Sequence, residues 1–212
     1  PADEPAFTLD ERVVFMPLAQ DGCLTWSWCR HPVCGREYIL ATAAGEEAEP
    51  QATLLLKNEF ALRGHLAPDW AVIPVATALY HGRYALLYRP FPFETLTRIT
   101  GTPAGDMAAF LDLALNLCAP LLQMHQHGLI HGDIKPGNLF INNDGSCRLG
   151  GFGLASGATG TGARTTVSAA GGTLAYMSPE HAARTRRAVD HRSDLYSLGI
   201  VLYELLTGSL PF

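Results

Sequence analysis

Long charged and long apolar runs are both missing from this chain of 212 residues, and each absence excludes a class of protein. No lysine or arginine run occurs, and 15 basic against 20 acidic residues give a net charge of −5, which argues against a surface for nucleic acid. No uninterrupted run of eighteen apolar residues occurs, and residues 1–11 are acidic, unlike a secretory signal. We therefore expect a cytoplasmic protein without membrane insertion.

Cysteine is also sparse. The chain has 5 cysteines at irregular spacing, which is typical of reduced thiols rather than of a disulfide framework. One cluster could be drawn as a zinc site, although it has neither a C-x-x-C pair nor a second pair. Its members are Cys23, Cys29, His31 and Cys34. We favour the plainer interpretation, which is buried or half-buried thiols on strands.

The first part of the chain, residues 1–88, is predicted to be rich in β-strands. Short β-prone runs surround a segment of helical spacing at 51–66. Leu24, Trp26 and Trp28 alternate with smaller side chains, which is typical of a half-buried strand. We expect a five-stranded sheet with one helix, in which the two tryptophans are core or partner-facing residues rather than an adenine platform.

The remainder of the chain is predicted to be mainly helical. A stiff proline-containing hinge at 89–94 precedes a helical region at 95–212. Within that region Met107–His127 and Leu195–Thr207 have apolar residues at helical spacing. Gly208 is placed to cap the second helix. The sequence therefore predicts an α+β protein with a β-rich small lobe and a helical large lobe.

The most informative motif runs from His131 to Asn138 and reads HGDIKPGN, with Gly151-Phe152-Gly153 downstream. An Asp and an Asn five residues apart, with a Lys between them, supply what a loop needs to orient a hydroxyl, steady a phosphate and hold a metal ion. Gly151 stands where such a site needs a second metal ligand, and a glycine has no side chain to offer. Half of a phosphoryl-transfer site is therefore present.

Four motifs in this order resemble those of the Ser/Thr protein kinases. They are residues 130–138, 149–155, 172–180 and 193–199. The resemblance implies a bilobal protein-kinase-like fold, with a large lobe incomplete at its C-terminal end, and ATP-dependent, Mg²⁺-assisted phosphoryl transfer to protein Ser/Thr hydroxyls. The detailed sequence of the last two motifs is similar to that of the N-terminal kinase-like module of bacterial hybrid signalling proteins. In those proteins an ATPase domain and a histidine kinase follow this module.

The resemblance assigns roles to several intact residues. Asp133 matches the base that orients the acceptor hydroxyl, Lys135 the cation that neutralises the transferring phosphate, and Asn138 a weak magnesium ligand. Thr173 matches a threonine that favours Ser/Thr acceptors. Asp194 matches the buried aspartate that anchors the backbone of the catalytic loop.

Other matched residues have architectural or nucleotide-binding roles. His131 and Phe152 match two members of a packed apolar spine. Glu180 matches a glutamate whose usual arginine partner lies outside this chain, so we expect it to be unpaired. The residues expected to face ATP are Gly22 in the phosphate-covering loop, Glu59 in the small-lobe helix, the Arg89 carbonyl and the Phe91 N–H.

Departures from the family pattern fall on the nucleotide-phosphate side. The third strand has no lysine at Ala41 or Thr42, where the family has V-A-I-K, so Glu59 is expected to lack its cationic partner. Lys57 is the nearest cation, but it lies on a different helix face. Gly22 alone cannot bring several backbone N–H groups onto a phosphate.

Two further features concern regulation by phosphorylation and the role of two histidines. Gly132 replaces the arginine that in the family pairs with a phosphorylated activation loop, so residues 156–172 are expected to be a mobile, solvated segment rather than a regulatory phosphosite. His125 and His127 are expected to be a capping or exposed pair, not metal ligands.

Three functions stay open from the sequence. The first is a weak Ser/Thr kinase, because losing one phosphate-handling element costs about a hundred- to a thousandfold in rate. The second is a pseudokinase that binds attached signalling domains as a scaffold. The third is a small-molecule phosphotransferase, because His131-Gly132-Asp133 also resembles the H-G-D of aminoglycoside and choline phosphotransferases. Expected partners are ATP and a protein substrate or attached signalling domains.

Overall fold

The computed structural model describes residues 7–9, 13–30, 35–92, 94–98, 100, 105–157, 173–182 and 189–212. The chain forms two compact units, each described here by itself. The first comprises residues 1–65 and 73–91, and the second comprises 66–72 and 92–212. The architecture is α+β, as the sequence predicts.

The unit boundaries differ from the predicted boundaries 1–88, 89–94 and 95–212. Residues 66–72 belong to the second unit because their backbone pairs there: the Val72 N–H donates to the Leu149 carbonyl at 2.8 Å, and the Leu149 N–H donates to the Trp70 carbonyl at 2.9 Å.

The first unit is built on a six-stranded sheet in the order β1-β5-β6-β4-β3-β2. Its strands are β1 (Phe7–Leu9), β2 (Val14–Asp21), β3 (Leu24–Arg30), β4 (Glu37–Ala43), β5 (Ala76–Tyr80) and β6 (Arg83–Tyr88). The prediction of five strands missed β1, which pairs in parallel with β5. Three apolar residues are too short a run to reveal a strand by periodicity.

Two tight turns set the register of the sheet. Asp21 pairs with Leu24, so the turn between β2 and β3 consists of Gly22 and Cys23. The turn between β5 and β6 is the two-residue His81-Gly82, and both residues have positive φ angles of 48° and 77°. Such turns match the twist of the flanking strands.

The two faces of this sheet have different cover. One face carries a buried cluster to which most of the strands contribute: Leu9, Val13, Cys29, Leu40, Ala78, Ala85 and Leu87. The other face packs against helix α1 (Glu49–Leu62), which contacts β4 and β6. The sequence placed this helix at 51–66, and its last predicted turn is instead a short 3-10 helix, Arg63–His65.

The second unit contains two long helices and short strands. Helix α2 is Met107–Gln126 and helix α3 is His191–Thr207. The strands are β7 (Glu94–Thr95), β8 (Leu129–Ile130), β9 (Leu139–Ile141), β10 (Cys147–Leu149) and β11 (Ser156–Gly157). Strands β10, β9 and β7 form one sheet, and β11 pairs with β8.

The helix ends show how local chemistry sets element bounds. Asp106 caps α2 by accepting from the Ala108 N–H at 2.9 Å, and the helix continues through Pro120. Helix α3 starts at His191, one turn before the predicted start, because Asp190 accepts from the Arg192 N–H. Gly208 ends α3 with φ +76° and donates to the Glu204 carbonyl, as predicted.

Helix α2 is long and apolar enough to cross a membrane by length and composition, with a mean hydropathy of 1.5 over its best window. In this fold it is packed on one side, where Leu117, Leu121 and Met124 are buried. Its exposed apolar residues are Met107, Leu111, Leu115 and Leu122. Core helices of soluble proteins have the same length and composition, so these two properties of α2 are weak evidence for a membrane span.

Candidate functional site

Asp194 on α3 holds the start of the predicted catalytic loop. Its carboxylate is 1% exposed. Oδ2 accepts from the His131 N–H and Oδ1 accepts from the Gly132 N–H, both at 2.9 Å. His125 Nε2 lies 2.9 Å from Oδ2. The anchoring geometry expected of Asp194 is therefore present, with His125 as a further partner.

His125 is the contact that sequence reasoning missed. The prediction of a capping or exposed histidine pair fits His127, whose Nδ1 lies 2.8 Å from the Gln123 carbonyl. It is wrong for His125, whose side chain is 14% exposed and reaches Asp194 across 69 residues of sequence. One feature of the sequence indicates this contact, which is that His125 follows Met124, a residue on the buried side of α2.

His131 is completely buried and its hydrogen bonds fix its tautomer. The Asp133 N–H donates to Nδ1 at 3.2 Å, so Nε2 carries the proton and donates to the Gly150 carbonyl at 3.0 Å. Burial lowers the pKa of His131, which favours the neutral ring. The ring packs on Phe152 with centroids 4.9 Å apart. The two predicted spine residues are therefore in contact.

Asp133, Lys135 and Asn138 meet in one hydrogen-bonded group. Lys135 Nζ lies 3.2 Å from Asp133 Oδ2. Asn138 Nδ2 donates to the Asp133 carbonyl at 2.7 Å and to Asp133 Oδ2 at 2.9 Å. The carboxylate of Asp133 therefore engages a cation and an amide through the same oxygen, which holds it in one orientation.

Gly151 and Asn138 fit together sterically. Gly151 has φ +72°, which favours glycine. A Cβ added at this position would overlap the Oδ1, Cγ and Nδ2 atoms of Asn138. The amide of Asn138 thus occupies the space into which a side chain at position 151 would begin. A metal-binding aspartate there requires Asn138 to move.

The loop has few of the groups that a magnesium site needs. Mg²⁺ is usually held through carboxylate oxygens and substrate phosphates. The described residues contain no cluster of three acidic, histidine or cysteine side chains suited to a metal. Asn138 offers an amide oxygen, while the Asp133 carboxylate is already paired with Lys135. These residues do not fit a magnesium ion held by two protein ligands.

In the first unit, Glu59 has a partner that sequence reasoning did not anticipate. This carboxylate is 2% exposed on α1, and the Tyr88 hydroxyl donates to its Oε1 at 3.0 Å. Burial, together with the Glu59 carboxylate, raises the pKa of Tyr88 well above its ordinary value. A strand aromatic had no sequence feature that marked it as this partner.

The strand register decides which positions face Glu59. Ala41 pairs with Leu86, and Thr42 pairs with Ala85 on the opposite face. Because Tyr88 and Leu86 share a face, a lysine at Thr42 would point away from Glu59. Ala41 and Ala43 have the correct parity.

That helix-facing side of the sheet carries aromatic rings. Trp26 pairs with Ala41 across β3 and β4, and its ring lies 5.3 Å from that of Tyr88. The Lys57 ammonium group lies 5.6 Å over the Tyr84 ring, so it is directed at β6. The Arg30 guanidinium lies 5.6 Å from the centroid of the Trp28 ring. Trp26 is therefore a packing residue of this face, as predicted.

The family model for the protein kinase domain matches residues 96–212, more than half of the chain. This chain belongs to the protein kinase domain family. The Ser/Thr-protein kinase PknB of Mycolicibacterium smegmatis is 38% identical over 133 residues, covering 58% of this chain and 21% of that protein. The DNA damage-responsive kinase RqkA of Deinococcus radiodurans is 39% identical over 131 residues, covering 57% and 19%. The chain thus spans about a fifth of the relatives' length.

Glu180 of the kinase domain is paired, contrary to the prediction. The Ser193 hydroxyl donates to Glu180 Oε1 at 2.7 Å, and this bond lowers the pKa of Glu180. Tyr176 donates to Glu204 Oε2 on α3 at 2.7 Å. Thr173 begins the 3-10 helix Thr173–Tyr176. Two hydrogen bonds therefore tie this segment to α3, while the role of Thr173 stays a prediction.

The remaining nucleotide-side residues lie at turns or beyond strands. Gly22 is in the β2–β3 turn with φ +55°. Arg89 and Phe91 follow the last residue of β6, where the strand ladder has ended. Their roles in adenine binding stay predictions. Gly132 has φ +76°, and a Cβ there would lie 3.3 Å from the Leu154 carbonyl oxygen, so the local backbone is unsuited to the family's arginine.

Two predictions fall partly outside the described residues. Of the zinc alternative, Cys29 is buried and its pKa is raised to about 11 by burial, whereas His31 and Cys34 lie outside the described part of the chain. The predictions for the segment 156–172 concern residues 158–172 that are also outside it.

Proposed function

We propose that this protein kinase domain is a Ser/Thr kinase-like signalling module whose phosphoryl transfer is strongly impaired. Its kinship with Ser/Thr-protein kinases supports the reaction class. The impairment rests on the nucleotide-phosphate side, where Gly151 offers no metal ligand and the β4 residues on the side of Glu59 are Ile39, Ala41 and Ala43, none of them a cation.

The observation that carries this proposal is the closed hydrogen-bonded group at the catalytic loop. Asn138 fills the space beside Gly151 and donates to Asp133, while Lys135 pairs with the same carboxylate oxygen. In a competent site Asn138 and the residue at 151 hold the metal that neutralises the phosphates. Here the Asn138 amide nitrogen donates to Asp133, and Gly151 offers no second ligand beside the amide oxygen.

The acceptor side keeps the groups that the chemistry needs. Asp133 is the residue that would accept the proton of a Ser or Thr hydroxyl, and Lys135 would neutralise charge on the transferring phosphate. Their side chains are only 14% and 12% exposed, so both are oriented by protein contacts. Loss of one phosphate-side element costs about a hundred- to a thousandfold, and two such losses leave little turnover.

A direct test measures transfer of labelled phosphate from ATP to a generic protein substrate. The Asp133→Ala variant sets the background. We expect the natural chain to exceed this background only slightly, and the Gly151→Asp/Ala43→Lys variant to exceed the natural chain. Activity of the natural chain at about 10 s⁻¹, within the range for active kinases, would contradict the proposal.

A second candidate is a pseudokinase that acts purely as a binding scaffold. The specific support is that the buried Glu59 carboxylate accepts from the Tyr88 hydroxyl of the same unit, in place of the cation that a competent site would supply. Thermal unfolding with ATP, with and without Mg²⁺, separates the two candidates. The scaffold predicts no magnesium-dependent increase in Tm, whereas a weak kinase predicts one.

The wider context is part of the same proposal. The resemblance of the motifs supports attachment to ATPase and histidine kinase domains and a protein substrate, while the composition supports a cytoplasmic location. The chain spans about a fifth of its relatives' length, so the activity and partners of the whole protein belong to this proposal. Expression of the full natural gene product and identification of its flanking domains would test them.

A further inference from the structure

A groove at one end of the first-unit sheet carries two arginine side chains that the proposed phosphoryl transfer does not use. It encloses about 700 Å³, a volume within the usual range for ligand sites. We call it the arginine cleft. Its arginines are Arg36 and Arg89, which line it beside Tyr38, Val75, Ala76 and Pro90.

The order of the strands brings the two arginines together. Strand β6 lies between β4 and β5 and is antiparallel to both, so the first residues of β4 and β5 flank the last residues of β6. Arg36 directly precedes β4, and Arg89 directly follows β6. Neighbouring strands lie about 4.8 Å apart, so the two side chains can contact one small ligand together.

The cleft opens on the sheet face opposite α1. Leu87 belongs to the buried cluster on that face, and Tyr38 packs against it. Side chains alternate along a strand, and Arg36 and Arg89 are each two residues from one of these two. Tyr88, which donates to Glu59 of α1, has the other parity on β6. A ligand in the cleft is therefore separated by the sheet from the side that faces Glu59.

The positive charge of the cleft is not balanced within the described part of the chain. Among those residues neither Arg36 nor Arg89 forms an ion pair, and both are exposed. The acidic residue in the lining is Glu37. Its Oε1 lies 2.7 Å from Arg30 Nη2, and the two residues are paired across β3 and β4. An anionic ligand would supply the missing counter-charge.

The rest of the lining is mainly apolar. Val75 is 43% exposed although it is a large apolar residue, and Ala76 and Pro90 extend this surface. A guanidinium group presents a planar fork of donors that matches the oxygens of a phosphate or a carboxylate. Ligand sites typically combine apolar walls with a few such polar groups. The lining therefore suits a molecule with an anionic end and an apolar body.

We propose that the arginine cleft binds a small organic anion. Arg36 and Arg89 hold its phosphate or carboxylate group, and its apolar body packs against Val75, Ala76 and Pro90. The ligand would join the ends of β4, β5 and β6 where the predicted hinge begins. This binding does not depend on the proposed kinase activity, because the residues of the catalytic loop belong to the second unit.

The test titrates the full chain with phenyl phosphate and follows the Nε–Hε NMR signals of its arginines. Arg36→Gln and Arg89→Gln assign the two signals of the cleft, because each variant lacks one of them. We expect both signals of the natural chain to shift along the same saturation curve. Each variant should bind phenyl phosphate about tenfold more weakly, because it loses a hydrogen bond between charged groups. If neither signal shifts with millimolar phenyl phosphate or benzoate, the proposal is overturned.

Matched variants control this experiment. Arg98→Gln changes an exposed arginine of the second unit that is paired with Glu94, so it should not alter the affinity. Arg36→Lys and Arg89→Lys keep the charge without the planar fork, and they should lose less affinity than the Gln variants. Both cleft positions are exposed, so Tm should be unchanged in all of these variants. An equal loss in Arg98→Gln would show general charge attraction and would overturn the proposal.

A comparison of four probes identifies the chemistry of the ligand. Tighter binding of phenyl phosphate than of benzoate supports a phosphate-bearing ligand, and the reverse order supports a carboxylate. Benzyl alcohol has the apolar body without the charge, and inorganic phosphate has the charge without the apolar body. If either of these binds as tightly as the tighter organic anion, one half of the cleft has no role and the proposal is wrong.

Discussion

The catalytic loop of the second unit and the helix-facing side of the first-unit sheet have each lost a group, and they differ in what replaced it. At the loop, the missing carboxylate at Gly151 leaves space that the Asn138 amide fills. On the sheet, the missing lysine leaves alanines, and Glu59 receives a hydroxyl from Tyr88. The loop lost a metal ligand, whereas the sheet lost a cation.

This difference shows that neither the missing carboxylate nor the missing lysine leaves an unfilled space. On the sheet, Tyr88 satisfies the buried carboxylate that a lysine would have paired, as buried polar groups require, and at the loop Asn138 fills the space of the missing side chain. Restoring one residue therefore has a cost in stability before it has any benefit in catalysis. The following variants break or sharpen the comparison.

The largest effect is expected at Asp194, which anchors the loop and also contacts His125 of α2. Asp194→Asn removes a buried charge and replaces an acceptor oxygen by an amide that faces the N–H groups of His131 and Gly132. We expect the free energy of unfolding to fall by about 3–5 kcal/mol, measured by urea denaturation. Asp112→Asn on the exposed side of α2 is the control, with a change within about 0.5 kcal/mol. Equal effects would show that Asp194 does not hold the loop.

Gly151→Asp is expected to have the next largest effect. The new side chain overlaps Asn138 and requires a positive φ, so the free energy of unfolding should fall by about 2–4 kcal/mol. Asn138→Ala should relieve part of this loss, because it vacates the space. A double-mutant cycle measured by thermal unfolding tests the coupling. Additive losses would mean that the two positions are independent.

The anchoring geometry of the catalytic loop could be predicted from sequence because its partners belong to well-marked motifs. His131, Asp133, Lys135 and Asn138 lie within eight residues, and Asp194 follows in its own motif. Asp194 contacts the loop backbone as the resemblance implied, whereas the contacts of Asn138 and Lys135 with Asp133 were not predicted. The α+β class also followed from the change of hydrophobic period.

The rest could not be predicted because it depends on packing between distant segments. The Glu59–Tyr88 bond joins residues 29 apart on different elements. The bond between Ser193 and Glu180 joins two motifs 13 residues apart, and no feature of either motif marked it. A serine hydroxyl or a tyrosine hydroxyl fits many environments, so residue type alone does not assign its partner.

Tyr88→Phe tests the sheet side of the comparison. It removes the hydroxyl that donates to a carboxylate 2% exposed, so the free energy of unfolding should fall by about 1–3 kcal/mol. Adding Glu59→Gln should recover part of the loss, because a neutral amide is cheaper to bury than a carboxylate. Tyr203→Phe, at an exposed tyrosine of α3, is the control for urea denaturation. No difference between the two tyrosine variants would contradict a stabilising role for the bond.

The smallest effect is expected at Asp190, the exposed cap of the helix that carries Asp194. Hydrogen bonds from Arg192 lower the pKa of Asp190 from 3.8 to about 2. A lowered folded-state pKa gives stability that is complete above about pH 4 and is lost as pH falls toward 2. Asp190→Ala should therefore lower the free energy of unfolding by about 1 kcal/mol at neutral pH, measured by urea denaturation.

The pH dependence separates the two anchors of α3. The loss caused by Asp190→Ala should shrink between about pH 4 and pH 2, since protonation removes the charge of the natural cap. Asp190→Asn keeps a capping oxygen and should lose less than Asp190→Ala at neutral pH. A loss from Asp190→Ala as large as that from Asp194→Asn would mean that the helix start, rather than the buried carboxylate, positions the catalytic loop. The expected result is a larger loss for Asp194→Asn, which would mean that the buried carboxylate of Asp194 positions the catalytic loop.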